Sequence, residues 1–117
     1  MTRSTEEVLN HHLSAFGDGD LEGILSDYGE DSLLMTPQEV LRGRGQMKPV
    51  FEALLTEFAK PGASFAMHRQ TVEGEIAFIV WSAETADNVY ELGTDTFVVR
   101  DGKIVAQSFT GKITPKG

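Results

Sequence analysis

One acidic residue, Asp95, lies in an apolar strand pattern. It alternates with Phe97 and Val99 in "TDTFVVR", and residues two apart in a strand point to the same face. A carboxyl that is buried without a cation has a raised pKa and can polarise a ligand. The same carboxyl could instead accept hydrogen bonds from a loop or helix at a pocket rim. We predict that Asp95 faces inward, and both roles stay open.

His12 is the second residue whose position suggests chemistry. It lies between Leu9 and Phe16 on the apolar side of a helical pattern. An imidazole there could hydrogen-bond Asp95 or serve as an acid or base near neutral pH, although a lone histidine on such a face can also be purely structural. The neighbouring His11 points about 100° away around the helix, so the pair does not chelate one metal in the usual way. We predict no metal site and no cofactor.

Apolar and amide side chains on the predicted strands should surround Asp95. Trp81 and Phe109 would form apolar walls, and Gln107 would supply a donor and an acceptor beside the carboxyl. Ordinary core packing is the alternative for the aromatic residues. The predicted ligand-binding residues are Trp81, Gln107, Phe109, Phe97, Ile79, Thr36 and Tyr28.

Three further polar residues lie around the second apolar segment. Tyr28 falls on the buried stripe of the predicted second helix, so its ring should pack under the sheet with its hydroxyl at the pocket mouth or in water. Asp27 falls on the polar side of that helix and Asp31 in the turn after it. We predict that both carboxylates are solvated.

The period of the apolar residues changes along the chain, and this change defines the helices and strands that would position these residues. Ser4 or Thr5 caps a first helix, "GDGD" ends it, and Asp20 caps a second. A third helix opens at "GRG" and ends at "KPG", with Pro49 placed near its first turn. Beyond it the period becomes two, and "RDGK" carries the Asp-Gly signal of a tight hairpin. The predicted strands are 32–36, a short one at Val40 and Leu41, and then 64–72, 76–85, 90–100 and 103–113.

Chain length, charge and composition limit the classes of function that the protein can have. A chain of 117 residues has the size of one domain, here 1–117, and its 18 acidic against 10 basic residues disfavour nucleic-acid binding. There is no cysteine, and "MTRSTEEVLNHH" lacks the apolar core of a signal peptide. No apolar run approaches the roughly 20 residues that span a bilayer. We expect a cytoplasmic protein that binds neither membrane nor nucleic acid.

The order of these signals resembles the nuclear transport factor 2-like superfamily, in particular its SnoaL-like branch. The resemblance rests on "AFGDGDLEGILSDYGEDSLLMTP", "LRGRGQMKPVFEALL" and "DTFVVRDGKIV". It implies an α+β fold, a cone-shaped barrel in which three helices pack on a strongly curved, mostly antiparallel sheet around one apolar pocket. It also implies a homodimer packed through the outer sheet face. The superfamily includes isomerases, polyketide cyclases, dehydratases, epoxide hydrolases and proteins that only bind, so fold does not give function.

Within that superfamily, the ketosteroid isomerases offer a residue-by-residue comparison. By resemblance, Asp95 falls where they place the buried carboxylic acid that donates to the substrate oxyanion, and His12 falls near their oxyanion-hole tyrosine. Thr36 occupies the place of their proton-shuttling aspartate. Because threonine cannot abstract a carbon-bound proton at neutral pH, steroid isomerisation by that mechanism is not expected.

Two functions therefore stay open. The first is acid-base chemistry, such as isomerisation, cyclisation or dehydration, on a small and mostly apolar molecule with Asp95 and His12 as catalytic residues. The second is a non-catalytic ligand-binding or dimeric accessory domain in which the polar residues satisfy each other. The missing acid at Thr36 favours the second, and two inward ionisable groups favour the first.

Overall fold

Helices and strands follow the order that the change of period predicts. The structure is a computed structural model and describes residues 2–117. Within that range no helix is long and apolar enough to cross a membrane. The elements are α1 (Thr5–Gly17), α2 (Leu21–Leu25), β1 (Tyr28–Met35), β2 (Val40–Arg42), α3 (Gly43–Ala59), β3 (Ser64–Glu73), β4 (Ile76–Glu84), β5 (Asn88–Arg100) and β6 (Lys103–Pro115).

The six strands form one sheet in the order β2-β1-β6-β5-β4-β3. Every neighbouring pair is antiparallel except β1 and β6, which run parallel. The three helices pack against this mostly antiparallel sheet, which confirms the predicted α+β cone. Strand β6 joins the long C-terminal meander to β1, so residues from both ends of the sequence meet in the middle of the sheet.

Irregular pairing curves the sheet around the helices. The register shifts between Met67 and Arg69 on β3 and between Trp81 and Ala83 on β4, and further shifts occur on β5. Such bulges bend and twist a strand. Asp101 and Gly102 connect β5 to β6 with φ angles of 53° and 74°. Both angles are positive, as the Asp-Gly hairpin signal predicts.

Helix α1 begins as its sequence predicts. The Ser4 side chain accepts from the Glu7 backbone N–H at 3.1 Å, and the Glu7 carboxylate accepts from the Ser4 backbone N–H at 2.8 Å. This reciprocal capping box satisfies two otherwise free donors of the first turn. Val8 and Leu9 on the inward side are fully or almost fully buried. The cap therefore fixes where the helical face that carries His12 starts.

The second helix is shorter than predicted. Asp20 caps it by accepting from the Gly23 backbone N–H at 2.9 Å, but the helix ends at Leu25. Tyr28 is the first residue of β1 and pairs with Ile104 of β6. The prediction that Tyr28 continues the helical stripe is wrong, because parallel pairing with a distant strand takes over the backbone there.

Helix α3 opens at the predicted "GRG" segment. It runs from Gly43, so Pro49 lies inside the helix, in its second turn. Pro49 is solvent-exposed, while Met47 and Phe51 on the inward side are buried. The missing N–H therefore costs one intrahelical hydrogen bond, and the face that covers the sheet is unaffected.

Candidate functional site

A cavity of about 550 Å³ lies between the helices and the concave face of the sheet. This volume is in the range of small-molecule sites, and most of its lining is apolar. Helices α1 and α3 form one wall, and strands β3 to β6 form the other. The apolar lining includes Leu13, Phe16, Val50, Phe51, Leu54, Phe58, Phe65, Met67, Ile79, Trp81, Phe97, Phe109 and Ile113.

Asp95 lies in this cavity on the inward face of β5. Only 7% of its surface is exposed, and each carboxyl oxygen accepts one hydrogen bond. Trp81 Nε1 donates to Oδ1 at 2.8 Å, and Gln107 Nε2 donates to Oδ2 at 2.9 Å. Burial raises the pKa of Asp95 above its ordinary value, although the two donors and the charge of His12 act in the opposite direction. The net effect favours a carboxyl that holds its proton more tightly than a solvated aspartate.

The indole of Trp81 is held in place by two other aromatic rings. It stacks on Phe65 at 5.4 Å and on Phe109 at 6.0 Å between ring centroids. On the neighbouring strand, a Cβ added to Gly93 would lie 2.4 Å from Trp81 Cε2. The absence of a side chain at Gly93 therefore lets the indole lie against β5 and direct its N–H toward Asp95.

A chain of hydrogen bonds leads from Asp95 to Asp27, which does not line the cavity. The hydroxyl of Tyr28 donates to Gln107 Oε1 and also lies 3.2 Å from His12 Nε2. The other imidazole nitrogen, Nδ1, lies 3.1 Å from Asp27 Oδ2. Both ring nitrogens of His12 are thus engaged by Tyr28 and Asp27, so of the roles left open for His12 a direct bond to Asp95 is not the one found. Two residues, Tyr28 and Gln107, bridge the histidine and the carboxyl.

Tyr28 lies beneath the cavity and does not line it. Its side chain is fully buried, and the expectation of a hydroxyl at the mouth or in water is wrong. Burial raises the pKa of Tyr28 well above its ordinary value, and the nearby negative charges of Asp95 and Asp27 raise it further. The hydroxyl therefore keeps its proton and acts as a neutral hydrogen-bonding link.

Asp27 is the functional candidate that sequence reasoning missed. It is fully buried and accepts from Arg3 Nη1 at 3.0 Å, His11 Nδ1 at 2.8 Å and His12 Nδ1 at 3.1 Å. The predicted solvation of Asp27 is wrong because α2 ends before it, and the lead into β1 turns its side chain toward α1. Asp31 is exposed, as predicted. The signal that was available for Asp27 is its position between buried Leu25 and Tyr28.

The charges around Asp27 keep it ionised. Burial by itself would raise its pKa, but the hydrogen bond and charge of His12, together with the bonds from Arg3 and His11, hold the pKa below its ordinary value. The residues from 2 to 117 contain no group of three or more acidic, histidine or cysteine side chains arranged to hold a metal ion. With Arg3 already on the carboxylate, this cluster functions as an ion pair.

Thr36 lines the cavity at its rim. Its hydroxyl oxygen accepts from the backbone N–H groups of Gln38 and Glu39, both at 3.2 Å. The side chain thus fixes the turn between β1 and β2. Of the predicted catalytic and ligand-binding residues, all except Tyr28 line the cavity: His12, Thr36, Ile79, Trp81, Asp95, Phe97, Gln107 and Phe109.

A second missed cluster joins α3 to the β4–β5 turn. One oxygen of Glu57, Oε2, accepts from Thr85 Oγ1 at 2.6 Å, Asn88 Nδ2 at 3.0 Å and Tyr90 Oη at 2.8 Å. Burial opposes ionisation of Glu57, but these donors hold its pKa below the ordinary value. Because the Tyr90 ring lines the cavity, the cluster fixes the part of the wall that this ring forms.

A sequence model of the SnoaL-like domain matches residues 9–107. The chain belongs to the SnoaL-like family. The matched segment includes every residue of the hydrogen-bonded chain: Asp95, Gln107, Tyr28, His12 and Asp27. A search of curated proteins gave no match.

Solved structures share the fold of this SnoaL-like chain. An NTF2-like protein of unknown function from Cytophaga hutchinsonii ATCC 33406 superposes with a TM-score of 0.78 at 10% identity, over 96% of this chain and 93% of that one. A putative ketosteroid isomerase from Kribbella flavida DSM 17836 gives 0.76 at 18% identity, over 96% and 82%. SalBIII, an epoxide hydrolase/cyclase-like enzyme with a role in pyran ring formation in the polyether salinomycin, gives 0.78 at 15% identity, over 92% and 90%. At such identities the likeness shows the fold alone.

Proposed function

We propose that the protein binds a small, mostly apolar molecule in the cavity and that Asp95 exchanges a proton with it. The observation that carries the proposal is a buried carboxyl with a raised pKa in an otherwise apolar cavity. The reaction class that fits is acid-base isomerisation, cyclisation or dehydration. Structural neighbours named as an isomerase and as a cyclase-like enzyme are consistent with this class.

The geometry around Asp95 suits both directions of proton transfer. Trp81 and Gln107 each donate to one carboxyl oxygen, which fixes the carboxyl plane and leaves a lone pair on each oxygen. A protonated Asp95 would donate to a ligand oxygen, and an ionised Asp95 would accept a proton from the ligand. Apolar walls strengthen such a contact because they keep the local dielectric low.

His12 has a different role in this proposal from the one its sequence position suggests. Both of its ring nitrogens are bonded, to Tyr28 and to Asp27, so neither is free to contact a ligand. We assign His12 to positioning: it holds Tyr28, which in turn orients Gln107 against Asp95. Asp95 alone would then touch the reacting atoms.

A second function, ligand binding without turnover, is favoured by one specific observation. Thr36 stands where ketosteroid isomerases are expected to carry a base, and its hydroxyl oxygen accepts from two backbone N–H groups of its own turn. Among the lining residues that the structure describes, the only other acid is Glu39, which is exposed. In this second function Asp95 orients the ligand through a hydrogen bond and no bond of the ligand changes.

A ligand screen separates the two functions. A library of small apolar oxygen-containing metabolites is tested by ligand-observed NMR, and each bound compound is followed for products by mass spectrometry. Leu54→Trp adds bulk to the lining and should prevent binding. Asp95→Asn should keep binding of true substrates and reduce product formation by about 10²-fold or more, while Asp31→Asn, an exposed acid, should change neither.

Three outcomes decide between the proposals. Products that disappear in Asp95→Asn support the enzyme. Bound compounds with no product in the wild-type protein support the binding domain. Binding that persists unchanged in Leu54→Trp would show that the cavity is not the ligand site.

We also propose that the protein forms a homodimer through the outer face of the sheet. Pairing with Val98 and Thr96 of β5 places Ile76 and Phe78 on the face opposite the cavity residue Ile79. Ile76 is 50% exposed and Phe78 is half-buried. A sheet face with such residues needs a cover, and a symmetric second copy offers one.

Light scattering at micromolar concentration should give the mass of two chains for the wild-type protein, and the mass of one chain for Phe78→Lys. A monomeric wild-type protein would contradict the dimer.

A further inference from the structure

The chain of hydrogen bonds below the cavity connects two carboxyl groups of different kinds. It runs from Asp95 through Gln107, Tyr28 and His12 to Asp27. All five side chains are buried. No buried side-chain nitrogen or oxygen among the described residues lacks a partner, so the direction of each bond constrains the next.

In the arrangement found, the donors point toward Asp95. Gln107 donates its N–H to Asp95, and Tyr28 donates its only proton to the Gln107 oxygen. The remaining contact of Tyr28, with His12 Nε2, then needs a proton on that nitrogen. Because ionised Asp27 only accepts, Nδ1 of His12 also carries a proton. This arrangement has a doubly protonated, positively charged His12 and a negatively charged Asp95.

A second arrangement satisfies the same atoms with three of the four bonds reversed. A protonated Asp95 donates to the oxygen of a turned Gln107 amide, whose N–H donates to Tyr28. The hydroxyl of Tyr28 then donates to an unprotonated Nε2 of His12, while Nδ1 still donates to Asp27. Between the two arrangements one N–H bond of His12 is lost and one O–H bond of Asp95 is gained. The total charge of the five residues is the same in both.

We propose that Asp27 and His12 hold a proton that Asp95 can take, so that Asp27 is a positioning residue of the cavity without lining it. The anion at Asp27 stabilises the charged form of His12, and this stabilisation favours an ionised Asp95. The two arrangements are in equilibrium, and exchange of the proton through solvent is sufficient to connect them. This coupling rests on the proposed function, because it sets the protonation of Asp95, the carboxyl that exchanges a proton with the ligand in that proposal.

Other charged and titratable groups contact this chain at Tyr28 and at Asp27. Arg44 of α3 donates to the backbone carbonyl of Tyr28 at 2.7 Å, and its charge is the same in both arrangements. Arg3, from the segment before α1, and His11, from α1, both contact Asp27. Around the His12 ring, α3 and β5 contribute the uncharged rings of Phe51 and Phe97. At the inner end, Asp95 meets the uncharged donors of β4 and β6, Trp81 and Gln107. The charge balance is therefore set by Asp27 and its cations on one side and by Asp95 on the other.

The experiment is a pH titration of the Asp95 carboxyl carbon by ¹³C NMR in the protein without ligand. The Asp27→Asn substitution removes the anion that favours the charged form of His12, so the proton passes to Asp95. The titration midpoint of Asp95 should therefore rise by about one pH unit. Simple repulsion between two carboxylates predicts the opposite sign, because removing one negative charge lowers the pKa of the other. The sign of the shift thus distinguishes coupling through the proton and charge of His12 from direct repulsion between the two carboxylates.

Two further variants test the connection itself. Tyr28→Phe removes the hydroxyl that links His12 to Gln107, and in this background Asp27→Asn should no longer raise the Asp95 midpoint. His11→Gln, which touches Asp27 but lies outside the chain, should shift that midpoint by less than about 0.3 units. If Tyr28→Phe does not fold, Gln107→Met breaks the chain at the next link with a side chain of similar size.

A lowered or unchanged Asp95 midpoint in Asp27→Asn would overturn the inference, and so would a rise that persists after the link is broken. The titration uses no ligand, so it can fail while the cavity still binds and turns over a substrate. Conversely, a failed ligand screen would leave the measured coupling between Asp27 and Asp95 intact.

Discussion

Two buried aspartates in this protein have opposite properties. Asp27 is fully buried and Asp95 is 7% exposed, yet the pKa of Asp27 lies below its ordinary value and that of Asp95 lies above. The difference is in the donors. Asp27 accepts from the guanidinium of Arg3 and from two imidazoles, whereas Asp95 accepts from uncharged N–H groups of Trp81 and Gln107. Burial sets the cost of a charge, and the charge of the partners decides whether the group stays ionised.

The largest loss in the free energy of unfolding should come from removing Asp27, the carboxylate whose partners are charged. Asp27→Ala leaves Arg3, His11 and His12 facing one another around a buried gap, and breaking a buried pair in this way costs about 3–5 kcal/mol. Chemical denaturation at pH 7 measures the free energy of unfolding. The matched control Asp31→Ala removes an exposed acid four residues on and should cost at most about 0.5 kcal/mol. Equal losses in the two variants would show that Asp27 is no different from a surface acid.

A smaller loss should follow from disturbing the donor to Asp95. Gly93→Ala places a Cβ within 2.4 Å of the Trp81 indole, and overpacking of this kind costs about 1–3 kcal/mol. The displaced indole should also show altered fluorescence, because its N–H loses Asp95. Gly45→Ala, in α3 with no heavy atom within 4 Å of the new Cβ, should instead hold or raise stability. A Gly93→Ala protein as stable as this control would contradict the close contact.

The smallest effect is on how the free energy of unfolding depends on pH, which should differ in sign between Asp27 and Asp95. Asp27, with a lowered pKa, stabilises the fold above the unfolded value near 3.8 and loses that contribution as the pH falls through its folded pKa. Asp95, with a raised pKa, contributes fully below 3.8 and loses its contribution as the pH rises through its folded pKa. The stability of Asp95→Asn relative to wild type should therefore increase from pH 4 to pH 8. Denaturation midpoints at matched pH values measure this, and a flat difference would argue against the raised pKa.

Sequence periodicity predicts most of the architecture because long strands and amphipathic helices repeat their pattern many times. The helix cap at Ser4, one of the two capping residues predicted, and the Asp-Gly turn are local signals, and both occur in the structure. The inward set around Asp95 follows from strand alternation once the strand is known. These features need no information from distant parts of the chain.

The polar clusters were missed because their partners are distant. The boundary between α2 and β1 depends on parallel pairing with β6, which places Tyr28 opposite Ile104. No short segment contains that information, so Asp27 was assigned to a solvated helix face. Glu57 was overlooked for the same reason, since its donors Thr85, Asn88 and Tyr90 lie beyond a whole strand.

The parallel pairing of β1 with β6 has a consequence for the order of assembly. Leu34 of β1 pairs with Gln107, so the residue that joins Asp95 to Tyr28 comes from the last strand. Pairing between segments so far apart is slow to form, and until it forms His12, Tyr28 and Asp27 lack the connection to Asp95. A growing chain therefore completes both the cavity wall and its connected polar groups last, when β6 enters the sheet.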